Sequence, residues 1–165
     1  MRLLSICAAV AIGEGKGEYE FVCHTKSLYL PRACGTTLKV KQAFGKGGRG
    51  VLDYAIQVKK ANDFDRCIAV LDTDTDWDDR QRKRARLADI LVVESTPCLE
   101  AWLLQIHEVG GVRSSTGHKE EFERRFGAPA HDAGVYGRHF PRAVLDAARH
   151  RVGPLRELLA SLNVP

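Results

Sequence analysis

The sequence predicts an α/β protein: a mostly parallel, four-stranded sheet flanked by helices, with a helical C-terminal extension. Three observations predict it. Short apolar, β-branched runs alternate with helix-like stretches in βαβα order. Two of those runs end in carboxylates, Glu14 and Asp72, as strands do where a parallel sheet opens into ligand-bearing loops. The composition, 44% hydrophobic and 28% charged over 165 residues, excludes a disordered chain and suits one domain with its own core.

The elements follow in order. Residues 3–12 read as the first strand, because a near-continuous apolar run is what a strand covered on both faces requires. Arg2 and the Ala9-Val10-Ala11 triplet give this stretch the look of a short signal peptide. Its direct passage into Gly13-Glu14-Gly15 favours a buried strand opening into a turn. Residues 18–30 form a helix carrying Tyr19, Val22 and Leu28, and Pro31 to Gly35 break the chain before a second strand over 36–44. Gly45 to Gly50 reads as a flexible basic loop. A helix over 51–62, a strand over 66–72, an acidic loop, a basic helix over 78–88 and a strand over 89–94 come next.

Ser95-Thr96-Pro97 predicts another helix, capped by Thr96, with Pro97 in its first turn, running to Glu108. Glu100 and His107 fall on one face of it, and Leu99, Trp102, Leu103 and Ile106 supply apolar contacts. Further helical stretches lie near 118–126, 141–151 and 153–162. Residues 1–108 are expected to form the catalytic core, with 109–165 packed on the same domain.

Five cysteines, with no C-x-x-C pair, argue against a disulfide framework or a zinc ribbon and suit a reducing cytoplasm. They read as small buried apolar residues. No segment approaches the ~20 apolar residues of a membrane span. The net charge of +4 is modest, but Arg80, Arg82, Lys83, Arg84 and Arg86 directly follow the acidic loop. A basic face beside carboxylates suits a polyphosphate partner.

The chemistry concentrates in Asp72, Asp74, Asp76, Asp78 and Asp79, which follow the apolar run Ile68 to Leu71. Massed like charges raise one another's pKa and invite a hard divalent cation. An EF-hand is excluded, since Trp77 and Lys83 stand where Gly and a bidentate acid are needed. A P-loop is excluded because neither Gly-rich segment ends in Lys-Ser/Thr. Asp72-Thr73-Asp74-Thr75 also looks like the first motif of haloacid-dehalogenase-type phosphatases, with Asp72 as nucleophile, although that family carries it on its first strand.

Gly13-Glu14-Gly15 after one strand and Asp72-x-Asp74 after a later one match the pattern of the TOPRIM domain, the metal-dependent module of topoisomerases, primases and many nucleases. The chain further resembles the RloB-like branch of TOPRIM proteins, associated with bacterial defence loci. That branch shows Glu-Gly with a second Glu, a Gly-rich loop, apolar-Asp-x-Asp, and Asn-Pro-Cys-Phe-Glu-x-Trp-Leu-Leu-x-His. Here these read Glu14-Gly15 with Glu18, Gly45 to Gly50, Leu71-Asp72-Thr73-Asp74, and Thr96-Pro97-Cys98-Leu99-Glu100-Ala101-Trp102-Leu103-Leu104 with His107. Thr96 stands for Asn, Leu99 for an aromatic, and Ile106 displaces the His by one position. The match covers roughly residues 3–108.

The resemblance implies a nuclease in which Asp72 and Asp74 bind Mg²⁺, or Mn²⁺, with Glu14 as a further ligand or a proton-transfer group. Glu18, Asp76, Glu100 and His107 would support them. Lys16, Lys46, Arg49, Arg80, Arg82, Lys83 and Arg84 are the expected contacts to DNA or RNA. A second subunit or a defence-system protein is the other partner to expect. A non-catalytic TOPRIM-like module that binds nucleic acid or signals is the rival from another class. Neither sequence specificity nor an aromatic-basic stacking platform is recognisable.

Overall fold

The computed structural model describes residues 7–32 and 34–165. In chain order it contains β1 (Cys7–Gly13), α1 (Lys16–Tyr29), β2 (Thr36–Gln42), α2 (Gly47–Ala61), β3 (Arg66–Asp72), α3 (Asp79–Leu87) and β4 (Leu91–Ser95). Five helices follow: α4 (Leu99–Ile106), α5 (Ser115–Phe126), α6 (Ala133–His139), α7 (Arg142–Ala148) and α8 (Gly153–Ser161). The four strands make one parallel sheet in the order β2-β1-β3-β4. The first four residues of the expected first strand, 3–6, lie outside the described residues.

Side-chain alternation explains why the two central strands, β1 and β3, are apolar through their buried length, while the edge strand β2 carries Thr, Lys and Gln. Ala9 and Ala11 of β1, with Ile68 and Val70 of β3, face a core shared with α1 and α4 to α8. Val10 and Ile12, with Cys67, Ala69 and Leu71, face a second core under α2 and α3. A parallel sheet covered on both faces needs apolar residues at every position. Gly13 is required where β1 ends, because a Cβ there would stand 2.8 Å from the Glu18 Cβ and from the Tyr19 nitrogen. The first turn of α1 therefore lies directly on the strand end.

The C-terminal segment is part of the main core. Phe122, Phe126, Tyr136 and Phe140 join Phe21 and Trp102 in one aromatic cluster, with Phe21 and Trp102 edge to face at 5.2 Å. Trp102 Nε1–H donates to the buried Ser95 hydroxyl at 2.8 Å, which ties α4 to the end of β4. The Tyr136 hydroxyl donates to the Ala130 carbonyl at 2.6 Å.

Three expectations are corrected, and one helix is new. Gly47 to Gly50 form the first turn of α2, and only Gly45 and Lys46 remain loop. Thr96 does not cap α4: Cys98 occupies that position, and the Thr96 hydroxyl accepts from Thr73 at 2.9 Å. Helix α6 was not expected from the sequence, because seven residues including Gly134 and Gly137 carry too short and too weak a period. Of the cysteines only Cys67 and Cys98 are buried, and Cys34 is exposed.

A chain ending at Glu108 would expose the faces that α5 to α8 cover, so it is expected to lose cooperative folding. Circular dichroism thermal melts check this. A sharp transition close to that of the full chain would show that the first 108 residues fold alone.

Candidate active site

The candidate site lies at the C-terminal edge of the sheet, where β1 and β3 run side by side. The Glu14 N–H donates to the Val70 carbonyl at 3.0 Å, and the Glu14 carboxylate accepts the Asp72 N–H at 2.9 Å. One turn into α1, the buried Glu18 folds back to accept the Gly15 N–H at 2.9 Å. Asp72 Oδ1 accepts the N–H of Leu99 at 3.0 Å, satisfying one of the unpaired donors at the start of α4. Glu100, the next residue of α4, joins Glu14, Glu18 and Asp72 in lining a cleft of about 480 Å³.

Electrostatics mark this cleft. Burial, reinforced by the charges of Glu18, Glu14, Glu100 and Asp74, pushes the Asp72 carboxyl up to about 9. Burial also raises Glu14, against the lowering effect of the Asp72 N–H, and raises Glu18, where Glu14 and Glu100 add to it. Lys119 of α5 lines the same cleft. Partial burial would lower its ammonium pKa, but the charges of Glu100 and Asp72 outweigh that and raise it. Perturbed groups gathered in a cleft are a mark of function.

No family model, curated protein or solved structure matches this chain. The site therefore rests on its own geometry.

That geometry separates the five carboxylates of the acidic loop. Asp72 alone lines the cleft. Asp74 is exposed and accepts the Ser115 hydroxyl of α5, although its charge still acts on Asp72 and Glu14. Asp76 accepts the Arg49 N–H at 3.2 Å and so caps α2. Asp78 caps α3 through the Gln81 N–H at 2.9 Å, and Asp79 pairs with Arg82 at 2.9 Å. The expectation of one massed group is corrected: three of the five are taken by helix ends and an arginine.

The basic set divides too. Lys16 lines the cleft, and Lys46, Arg49, Arg80, Lys83 and Arg86 are exposed. Arg82 is bound to Glu94 at 2.7 Å, and Arg84 to Asp53 at 2.7 Å. These two arginines hold α3 in place and are not free for a phosphate.

His107 is also corrected. It closes the far end of α4, packed on Phe126 and Phe140 with centroids 4.9 and 4.8 Å away, and burial lowers its pKa. A seven-residue spacing does share a helix face, but it also spans about 10 Å of axis. Sequence reasoning missed Lys119, Ser115, Glu123 and His131, which come from the unmatched C-terminal third and carry no motif. A larger hollow of 610 Å³ at the opposite sheet edge has three of its four charged side chains engaged, Asp89 by Lys59, Arg66 by Ser161 and Asn163, and Asp65 by the Ala8 N–H, with Glu157 as the fourth.

The residues fit a hard divalent cation. The donors are carboxylate oxygens, and Glu14 Oε1 and Asp72 Oδ2 make no hydrogen bond among the described residues. No three His, Cys, Asp or Glu side chains among the described residues are gathered to enclose an ion by themselves. One or two carboxylates, with water and substrate oxygens completing the shell, is the arrangement these residues suit, and it is the one Mg²⁺ prefers.

Because the folded Asp72 pKa lies far above its ordinary 3.8, the folded chain holds a proton that the unfolded chain has lost between pH 3.8 and about 9. Stability is therefore expected to fall as pH rises through that window. Asp72→Asn should raise Tm at pH 8 by more than about 2 °C, the effect of about 1 kcal/mol in a chain of this size, and should flatten the pH dependence. Scanning calorimetry at pH 5 to 8 checks both, and an unchanged slope in the variant would remove Asp72 as its source.

Proposed function

We propose that this chain is a metal-dependent nuclease of the TOPRIM type, hydrolysing phosphodiester bonds of DNA or RNA, with a role in bacterial defence as the RloB-like resemblance implies. The observation that carries it is the convergence of Glu14 and Asp72 from adjacent parallel strands on one open cleft, with Lys119 and Lys16 on its walls.

Glu14 and Asp72 would hold Mg²⁺ or Mn²⁺, with Asp74 beside them. When bound, the ion supplies charge neutralisation at the phosphoryl oxygens. The protein's own groups do the rest. The Asp72 N–H and the Leu99 N–H fix the two carboxylates from the backbone, so neither needs to reorganise as substrate arrives. Where Glu14 serves as the proton-transfer group instead of a ligand, its free Oε1 is the atom that accepts a proton from water. Lys119 stays protonated beside the carboxylates and offers its ammonium to a phosphate oxygen. Glu18, held on the Gly15 N–H, keeps the strand-to-helix turn closed under Glu14. Arg80, Lys83 and Arg86 give α3 an exposed basic side suited to a phosphate backbone.

The phosphatase reading has less support, because Asp74, the acid/base it needs, accepts the Ser115 hydroxyl and does not line the cleft.

Cleavage of plasmid DNA, single-stranded DNA and tRNA with Mg²⁺ or Mn²⁺ tests the reading. Glu14→Gln and Asp72→Asn should each lower cleavage by about 10²-fold or more while strands still bind. Lys119→Ala should lower it by at least about tenfold. Undiminished cleavage in the carboxylate variants would reject the site. Binding without cleavage of any substrate would favour the binding module.

A further inference from the structure

Phe44 is unfavourable to the fold on two counts. Its side chain is 78% exposed, and its φ of 58° lies in the left-handed region that bulky residues rarely adopt. Its backbone is nevertheless clamped on both sides. The Ala43 N–H donates to the Gly13 carbonyl at 2.9 Å, and the Gly45 N–H donates to the Glu14 carbonyl at 2.7 Å. A strained residue held at the strand end that carries Glu14 is where function is to be sought.

What lies on either side says which function. Gly45 lines the acidic cleft. Phe44 and Lys46 wall a second hollow of about 300 Å³, together with Gln42, Asp53, Tyr54 and Gln57. Residues 44–46 therefore form the ridge between the two. The hollow combines two aromatic rings, two amides that can donate and accept, and an exposed ammonium. A π face, a hydrogen-bonding edge and a neighbouring anion are the three features of a nucleotide that such walls meet. Lys46, exposed, shares the wall with the ring. A protein contact would use a contiguous apolar patch instead.

We infer that this hollow is a nucleobase subsite and that the substrate is an unpaired strand, its phosphate in the acidic cleft and a neighbouring base turned over the ridge onto Phe44. The inference rests on the nuclease reading. A base stacked inside a duplex has no face to give the ring, so duplex is the poorer ligand.

Fluorescence anisotropy on the full chain tests it, with Ca²⁺ in place of Mg²⁺ and three labelled ligands: a short single strand, an abasic strand of the same length, and a duplex. Wild type should bind the base-bearing strand most tightly. Phe44→Ala should weaken that binding by about tenfold to hundredfold, leave the abasic strand unaffected, and be rescued by Phe44→Trp. Phe44→Gly should lose the same affinity while raising Tm by about 2 °C or more, since glycine accepts the positive φ. Equal binding of the base-bearing strand by wild type and Phe44→Ala, or a preference for duplex, overturns the subsite alone and leaves the cleavage result standing. Sedimentation showing that Phe44→Ala only dissociates a self-associated wild type would make the ring a contact between copies and overturn it. Failure of wild type to bind any strand overturns the subsite and the nuclease reading together.

Discussion

The parallel pairing of β1 with β3 is the constraint on which the rest of the molecule depends. It sets Gly13 opposite Val70 and delivers the Glu14 carboxylate to the backbone N–H of Asp72. Two acids distant in sequence thereby become neighbours at a partly buried sheet edge, where burial makes both harder to ionise and the Glu14 charge adds to the effect on Asp72. A parallel sheet must be covered on both faces, so the same pairing also requires helices on each side. Those helices start at this edge, and their unpaired N–H groups do part of the positioning: the start of α4 holds Asp72, and the first turn of α1 holds Glu18.

The cleft works against the stability of the fold that carries it. Glu14, Glu18, Asp72 and Glu100 surround one space, and backbone N–H groups and Lys119 offset only part of their repulsion. A fold selected for stability alone would place an apolar or amide group at one of these positions. Conflict between local rules and the global fold is expected where function is held. Phe44 is a second such conflict, and it stands one peptide away from Gly45 on the wall of the same cleft.

The segment after residue 108 belongs both to the core and to the site. Phe122, Tyr136 and Phe140 complete the aromatic cluster around Phe21, while α5 turns Ser115 toward Asp74 and Lys119 into the cleft. Burial in that cluster fixes α5 against α4, so the position of the lysine is a consequence of packing. Among the described residues no helix is long and apolar enough to cross a membrane.

The sequence by itself determined the α/β class, the strand and helix order through α4 and the two carboxylate positions, because strand period, glycine breaks and an acidic residue at a strand end are local signals. Glu14 and Asp72 were legible in that way, whereas Glu18 and Glu100, on helices, entered the site only through the family resemblance. Which acids of the loop remain free was not, since Asp76, Asp78 and Asp79 are claimed by helix starts and an arginine found only once the elements dock. The same holds for Arg82 and Arg84, for His107 among its phenylalanines, and for Lys119. Their roles are set by which group lies nearest in space, and only the tertiary structure decides that.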